Sequence, residues 1–472
     1  MATKRESWGS NFGFLMAAIG SAVGLGNIWG FPYKMGANGG FAFLVVYLIL
    51  ALFLGFVVML AELSIGRKSG LGCIGAYQKL SKRFKFVGWF GVLSAFLIMG
   101  FYTVLGAYCL KYMVLNIGDI FGAGFGAGDK SGGDLFGALI TSPYESIVYT
   151  IFFIVLTYVI VVGGIEKGIE KFSAWAMPAL FVMLLIVMVR SVTLDGAGQG
   201  LAFMFVPNFE PFSNNFMGVL AAASGQLFFS LSLGMAVMIT YGSYMKKDEN
   251  LEKNAAIIVI SDTLVAILAG IAVIPAAFAL GGENAALAGP KLLFITLQNV
   301  FHAMGAMGPY IGVIFYVLVV IAAVTSAISL TETIVTYFLD RDHVRGREMK
   351  RKTYTLWVCI AIAAEAIVVA ADGLGANGMW VPFQSSLGVH GWNDCWLDFL
   401  DAFSEGLMMP VGALLTCLFV GYEMGIKKFG EEVRASGHGF RSEVLFGVCV
   451  KYVSPIILVF VLYNQLKSFG LL

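Results

Sequence analysis

Charge is scarce in this 472-residue chain: Asp, Glu, Lys and Arg together make up 12%. Soluble domains carry about 25%. The balance of 30 Lys and Arg against 29 Asp and Glu leaves a net charge of +1, which gives no basis for a polyanionic partner such as nucleic acid. Histidine occurs four times and never in a mid-span cluster. There is no H-E-x-x-H and no G-x-S-x-G with partners, so a membrane enzyme is disfavoured. The six cysteines, Cys73, Cys109, Cys359, Cys395, Cys417 and Cys449, form no C-x-x-C pair and read as buried small hydrophobes. Met1 to Ser10 is polar and leads into a long apolar run without an A-x-A-like site, so no cleavable signal peptide is expected.

What is abundant is apolar: 59% of residues. One water-soluble core cannot hide that much, so the composition reads as a polytopic membrane protein. Eleven stretches are long enough to cross a bilayer: 11–35, 41–65, 87–116, 145–163, 172–192, 213–245, 254–280, 309–339, 354–371, 398–422 and 443–466. With the N-terminus inside, 24 of the 30 Lys and Arg fall on the cytoplasmic side, and an odd number of spans then places the C-terminus outside. The expected localisation is a plasma membrane, with residues 1–10 as a cytoplasmic N-terminus and 443–472 as span 11 and an extracellular end. Segment 281–308, between spans 7 and 8, reads as a short helical hairpin dipping toward the bundle, or as an ordinary loop.

Glycine is also abundant, at 58 residues, about 12% against a usual ~7%. Spans 1 and 6 concentrate it beside polar groups: Gly20-Ser21-Ala22-Val23-Gly24-Leu25-Gly26-Asn27 and Ser224-Gly225-Gln226 through Ser230-Leu231-Ser232-Leu233-Gly234. These two spans are five apart and therefore opposite in topology. Glycine-interrupted spans at matching places in two halves mark an inverted-repeat transporter, here 11–192 (spans 1–5) and 213 to about 422 (spans 6–10), joined by an extracellular connection at 193–212. A small-residue packing seam is the plainer reading, but it leaves Asn27 and Gln226 unexplained at mid-depth. A helix that unwinds at Gly20–Gly26 frees carbonyls for a hard cation such as Na+ and amides for a carboxylate. Span 8 adds hydroxyls at Thr325, Ser326 and Ser329. Asp262 in span 7 is an intramembrane acid and so a candidate ion ligand, fixed charge or proton site, unless it lies at the cytoplasmic mouth. Glu62 in span 2 reads as a helix tether.

Taken together, Arg5-x-x-Trp8, Gly20-x-x-x-Gly24-Leu25-Gly26-Asn27-Ile28-Trp29, Phe31-Pro32-Tyr33, Asn38-Gly39-Gly40, Gly66-Arg67, span 6 from Gln226 to Gly234 and Thr325-Ser326 resemble the neurotransmitter:sodium symporters, in particular bacterial amino-acid transporters, from residue 4 to about 466. The resemblance implies an all-α membrane fold of about eleven helices, a 5+5 inverted repeat with helices 1 and 6 unwound, and Na+-coupled symport of an amino acid by alternating access. It implies a first Na+ site at the Ala22 carbonyl, Asn27, Ser230 and either Ser261 or Asp262. A second would use the Gly20, Val23 and Ala322 carbonyls with Thr325 and Ser326. The substrate carboxylate would lie on the amides near Leu25 and Gly26 and meet Tyr102; the amine would face Ala22, Phe229 and Ser232. The side-chain pocket would be Ile98, Phe229, Met235, Ser326 and Leu330, which implies a neutral, hydrophobic amino acid.

Amine-transporting relatives carry Asp where this chain has Gly24, which favours amino acids. The family's outer-gate arginine is replaced by Gly30, so Lys34 is expected to face Asp401, with Glu405 one turn further. A cationic substrate is therefore an alternative, and a non-transporting sensor or a channel are others. Chloride-dependent relatives have Ser at the position of Val265, so chloride is not expected to be required, and proton antiport stays open. The inner gate is expected at Arg5 and Asp340, with Trp8 and Tyr244 beside them. The sequence carries no signal for an oligomeric state.

Overall fold

The computed structural model describes residues 5–281, 291–382 and 395–468. Among these residues there are helices and no strands. That follows from the solvent: inside a bilayer every backbone N–H and C=O must be satisfied within its own segment. Among the described residues nine helices are long and apolar enough to cross a membrane, ten if the bent pair Asn11–Ala22 and Gly26–Ala37, which meet at 47°, is counted as one span. The stretch expected as the sixth span forms the helices Glu210–Ser230 and Val237–Gly242, which are not among these ten. Span 10 runs on well past its expected end, from Trp396 to Arg434.

Burial separates the core of the bundle from its wall. In span 8 (Gly305–Val344) 83% of the most apolar window is buried and in span 3 (Val87–Ile120) 78%, against 33% in spans 4 (Pro143–Val162), 5 (Ile165–Val192) and 11 (Glu443–Lys467). Spans 3 and 8 pack on each other at the centre. Exposed Phe152, Trp175, Trp357 and Ile456 on the outer spans form a lipid-facing surface. The first half of span 1 is enclosed by spans 5, 7 (Leu251–Ala279) and 8, while both halves of span 6 lie along span 2 (Phe41–Ser69).

Both interruptions have a local cause. The first half of span 1 ends at Ala22 because Val23 leaves the helical region (ψ 95°), and helix resumes at Gly26. Span 6 ends at Ser230, and the chain then takes positive φ at Ser232 (53°), Gly234 (77°) and Ala236 (67°). Two of those three are not glycine, so the break holds strain that the surrounding packing must balance. Gly234 has no alternative: a Cβ there would stand 2.2 Å from the Met409 carbonyl oxygen.

The segment 281–308, expected as a hairpin or a loop, contains the helix Leu292–Ala303, and its residues 282–290 lie outside the described residues. All six cysteines are buried and unpaired.

Candidate functional site

The two breaks face each other at mid-molecule, and the polar residues of spans 1 and 6 find their partners there. Asn27 accepts from the Gly24 amide at 3.0 Å and donates to Asp262 Oδ1 at 2.7 Å, the Asp262 carbonyl at 3.2 Å and Ser230 Oγ at 2.9 Å. Ser230 donates to Asp262 Oδ2 at 2.8 Å. All three side chains are completely buried. Ser261 takes no part in this network and is half-buried. Of the two span 7 residues, Asp262 is the one whose side chain reaches this network, because adjacent helical residues point about 100° apart. The same shift moves the position one turn along this face from Val265 to Ala266. Neither carries a hydroxyl. Asp262 is not at a solvated mouth.

Gln226, the other polar residue flagged in an apolar run, donates to the Gly26 carbonyl at 2.7 Å. Its Oε1 also fills the room beside Gly30, where a Cβ would come within 2.9 Å. A side chain at Gly30, where the resemblance expects an arginine, would have to displace the end of Gln226.

The second set of oxygens lies where span 8 crosses the end of the first helix. A Cβ on Gly20 would stand 3.2 Å from Thr325 Cβ and 3.0 Å from Met177 Sδ, so spans 1, 5 and 8 close on this point. Thr325 Oγ1 donates to the Ala322 carbonyl at 2.9 Å and to Ile321 at 3.1 Å. Val23, the last of this expected set, ends the first helix, with its amide on the Ile19 carbonyl at 2.7 Å. Ser326 turns toward the cavity, donating to the Ser21 carbonyl at 3.0 Å; Ser232 donates to the same oxygen at 2.9 Å. Ser21 Oγ is 2.6 Å from Ser329 Oγ. Ser21 was not anticipated; its place beside Gly20, just before the break in span 1, was the available signal.

Between these two oxygen sets lies a narrow cavity. Nine of the ten expected substrate residues line it: Ala22, Gly26, Ile98, Tyr102, Phe229, Ser232, Met235, Ser326 and Leu330, joined by Ser21 and Gly24. Leu25, the tenth, contributes through its backbone amide, which donates to Tyr102 Oη at 3.3 Å. No charged side chain is on that wall. Gly24 is tightly enclosed: a Cβ there would meet Ser326 Oγ at 2.5 Å and Tyr102 Oη at 2.8 Å.

On one side of the cavity the chain is closed by Arg5, which donates to Asp340 at 2.9 Å and to the Ser243 carbonyl at 2.8 Å, and lies 4.7 Å over the Tyr244 ring. Trp8, fully buried, donates to the Tyr241 carbonyl at 3.0 Å and packs edge-on against Tyr244. A further network was missed. Glu332, buried in span 8, takes Arg351 at 2.6 Å and the Tyr244 hydroxyl at 2.7 Å, and Arg351 continues to Glu6 at 3.0 Å. An acid inside an apolar span was the signal, the same one that singled out Asp262.

On the other side Lys34 pairs with Glu405 at 3.0 Å. Asp401, which Lys34 is expected to face, stays within electrostatic reach of it, and Glu405 makes the closer contact. Asp401 is buried at the start of a widened, π-type turn over Ala402–Met408, and the acid within that turn is the one brought to Lys34. Glu62 accepts from the Gly234 amide at 2.8 Å, tying span 2 to the break in span 6 as the tether reading expects.

With this geometry in place, comparison with known proteins is informative. The description "Sodium:neurotransmitter symporter family" matches over residues 5–120 and 145–471. An uncharacterized sodium-dependent transporter of Bacillus subtilis, YhdH, is 34% identical over 98% of both chains. One of Haemophilus influenzae is 32% identical, again over 98% of both. The crystal structure of MhsT in complex with L-phenylalanine superposes with a TM-score of 0.86, at 34% identity, covering 98% of this chain and 100% of that one. These relatives are sodium-coupled transporters and not enzymes, and the leucine-transporter-like fold, sodium dependence and membrane setting come with them. The chain belongs to the sodium:neurotransmitter symporter family.

Proposed function

We propose that the protein carries a neutral, hydrophobic amino acid into the cell with Na+, by alternating access around the cavity between the two helix breaks. The observation that carries this reading is the fully buried cluster of Asn27, Ser230 and Asp262 set directly against the cavity. A first Na+ would sit there with the Ala22 carbonyl. A second would lie among the carbonyls of Gly20, Val23 and Ala322 and the hydroxyls of Thr325 and Ser326. Na+ prefers oxygen ligands of this kind, and buried ones need no large rearrangement to receive it. The substrate carboxylate would rest on the backbone near Leu25 and Gly26, beside Tyr102, with its amine toward the carbonyls of Ala22, Phe229 and Ser232.

The side-chain wall of Ile98, Phe229, Met235 and Leu330 supports an apolar substrate, as does the L-phenylalanine in the MhsT structure. The cationic alternative drew on Glu405, and that carboxylate is paired with Lys34. Chloride is not needed in this reading, because Asp262 supplies the negative charge beside the first Na+. Arg5–Asp340 with Trp8 and Tyr244 forms the inner gate, and Lys34–Glu405 with Asp401 the outer one. The distribution of Lys and Arg supports an N-terminus inside, repeats at 11–192 and 213 to about 422, and 193–212 and the C-terminus outside. One Na+ entering down −100 mV releases about 2.3 kcal/mol. Two therefore suffice for an accumulation of about a thousandfold or more.

Uptake of radiolabelled phenylalanine by proteoliposomes tests the reading. A Na+ gradient is expected to drive saturable accumulation that a K+ gradient does not. Equal uptake in both refutes coupling, and Na+-dependent binding without uptake supports a sensor instead.

A further inference from the structure

On the face that carries Arg5, a groove opens between the inner end of span 8 and the stretch that links span 2 to the helix Cys73–Leu80. Its walls are basic. Lys79 comes from one side, and Arg341, His343 and Arg345 from the other. The one acid on its lining, Asp340, is already held by Arg5 at 2.9 Å and by the Gly72 amide. Arg341 is the informative residue. Its Nε is shielded from solvent and has no acceptor among the described residues, and its guanidinium carbon lies 5.5 Å over the Phe338 ring. The guanidinium also meets the Tyr354 hydroxyl, which donates to Asp342, so the unmet donor is Nε alone, and an anion in the groove would supply its acceptor.

The groove also has an apolar continuation. Tyr337 on its lining packs against Trp89 with ring centres 5.1 Å apart. Trp89 is half exposed, and Phe86 and Leu93 extend the same face of span 3 outward. Spacings of three and four residues put the three side chains in one line along that helix. A cationic groove that runs into a lipid-facing aromatic strip at the end of a span has the form of an interfacial lipid site: charge at headgroup depth, apolar surface below.

We propose that this groove binds the phosphate headgroup of an anionic phospholipid, with the acyl chains lying along Phe86, Trp89 and Leu93. The headgroup faces Arg341, Arg345 and Lys79. Because Asp340 and Gly70, both partners of Arg5, line the same groove, the bound lipid sits directly beside the inner gate. A free phosphate would satisfy the cations but gain nothing from the apolar strip.

The test uses the purified full chain and two lipids, phosphatidylglycerol and phosphatidylcholine, followed by native mass spectrometry, with glycerol 3-phosphate as the soluble anion in a thermal-shift assay. The wild type is expected to retain phosphatidylglycerol and release phosphatidylcholine. R345Q, at an exposed side chain that folding does not depend on, is expected to weaken retention about fivefold, and R341Q/R345Q by more than tenfold. K427Q/K428Q removes two exposed cations from another helix and is expected to leave retention as in the wild type. Three outcomes overturn the proposal: undiminished retention in R345Q and R341Q/R345Q, an equal loss in K427Q/K428Q, which marks diffuse surface attraction, and stabilisation by glycerol 3-phosphate equal to that by the lipid, which marks a soluble-anion site.

Discussion

Asp262 presents one carboxylate oxygen to the Asn27 amide at 2.7 Å and the other to the Ser230 hydroxyl at 2.8 Å, and none of the three is exposed. Among the described residues no ion pair reaches this carboxylate. A buried charge held by neutral donors alone is expensive, and a cation in the same cluster relieves that cost. Removing the charge while keeping the shape is therefore expected to be felt as Na+ affinity. Asp262→Asn should raise the Na+ concentration for half-maximal uptake about tenfold or more, the scale of one charge-assisted contact. A Na+ titration of uptake reads this directly, and an unchanged midpoint removes Asp262 from the sodium site.

Gly24 offers a steric test of the cavity that does not involve sodium. A methyl group there meets Ser326 Oγ at 2.5 Å and Tyr102 Oη at 2.8 Å, the two hydroxyls that stand on the cavity wall. Overpacking of this kind costs about 1–3 kcal/mol. Gly24→Ala is expected to weaken substrate binding by about tenfold while the protein still inserts and purifies. Scintillation-proximity binding of phenylalanine measures it, and wild-type affinity in Gly24→Ala would falsify the placement of the substrate beside Gly24.

How much of this was legible in the sequence depends on the kind of signal. Asn27 and Gln226 stood out because a polar side chain in an apolar helix must find a partner, and both have one. The cavity lining could be read for the same reason: glycine and serine in mid-span mark backbone that is not ordinary helix. Register was harder. Ser261, Asp262 and Thr263 are consecutive on a helix that is apolar on both sides, and nothing in the composition says which of them faces inward. The closest acid to Lys34 was hard to choose for a related reason. Asp401 and Glu405 lie one turn apart, and the choice between them is made by a widened turn that leaves no simple mark in the residue types. Glu332 could be flagged as an acid in an apolar span, but the link from its partner Arg351 back to Glu6 joins distant parts of the chain, so only packing reveals it.

The Lys34–Glu405 pair lends itself to a double-mutant cycle. Both side chains are largely buried, so each single change removes one side of a shielded ion pair. Lys34→Gln and Glu405→Gln should each destabilise the state in which this side is closed, and the double variant should recover part of the loss, with a coupling of about 0.5–3 kcal/mol. Asp401→Asn paired with Lys34→Gln is expected to couple more weakly. Accessibility of an engineered cysteine in the cavity to a membrane-impermeant thiol reagent reports the closed fraction. A stronger coupling for Asp401 than for Glu405 would reverse the assignment.

Glu62 connects span 2 to the strained break in span 6 through one hydrogen bond, 2.8 Å from the Gly234 amide. Gly234 is held at φ 77° against the Met409 carbonyl, so its N–H cannot turn elsewhere. If the tether is what matters, the substitution that keeps an acceptor should be milder than the one that removes it. Glu62→Gln retains a carbonyl oxygen of nearly the same reach. Glu62→Ala leaves a buried amide unsatisfied, at about 1–3 kcal/mol, and opens a void as well. The expected order of thermal midpoints and of uptake rates is wild type, then Gln, then Ala. Were Gln as damaging as Ala, the negative charge itself would be the functional property, and the hydrogen bond to Gly234 only its by-product.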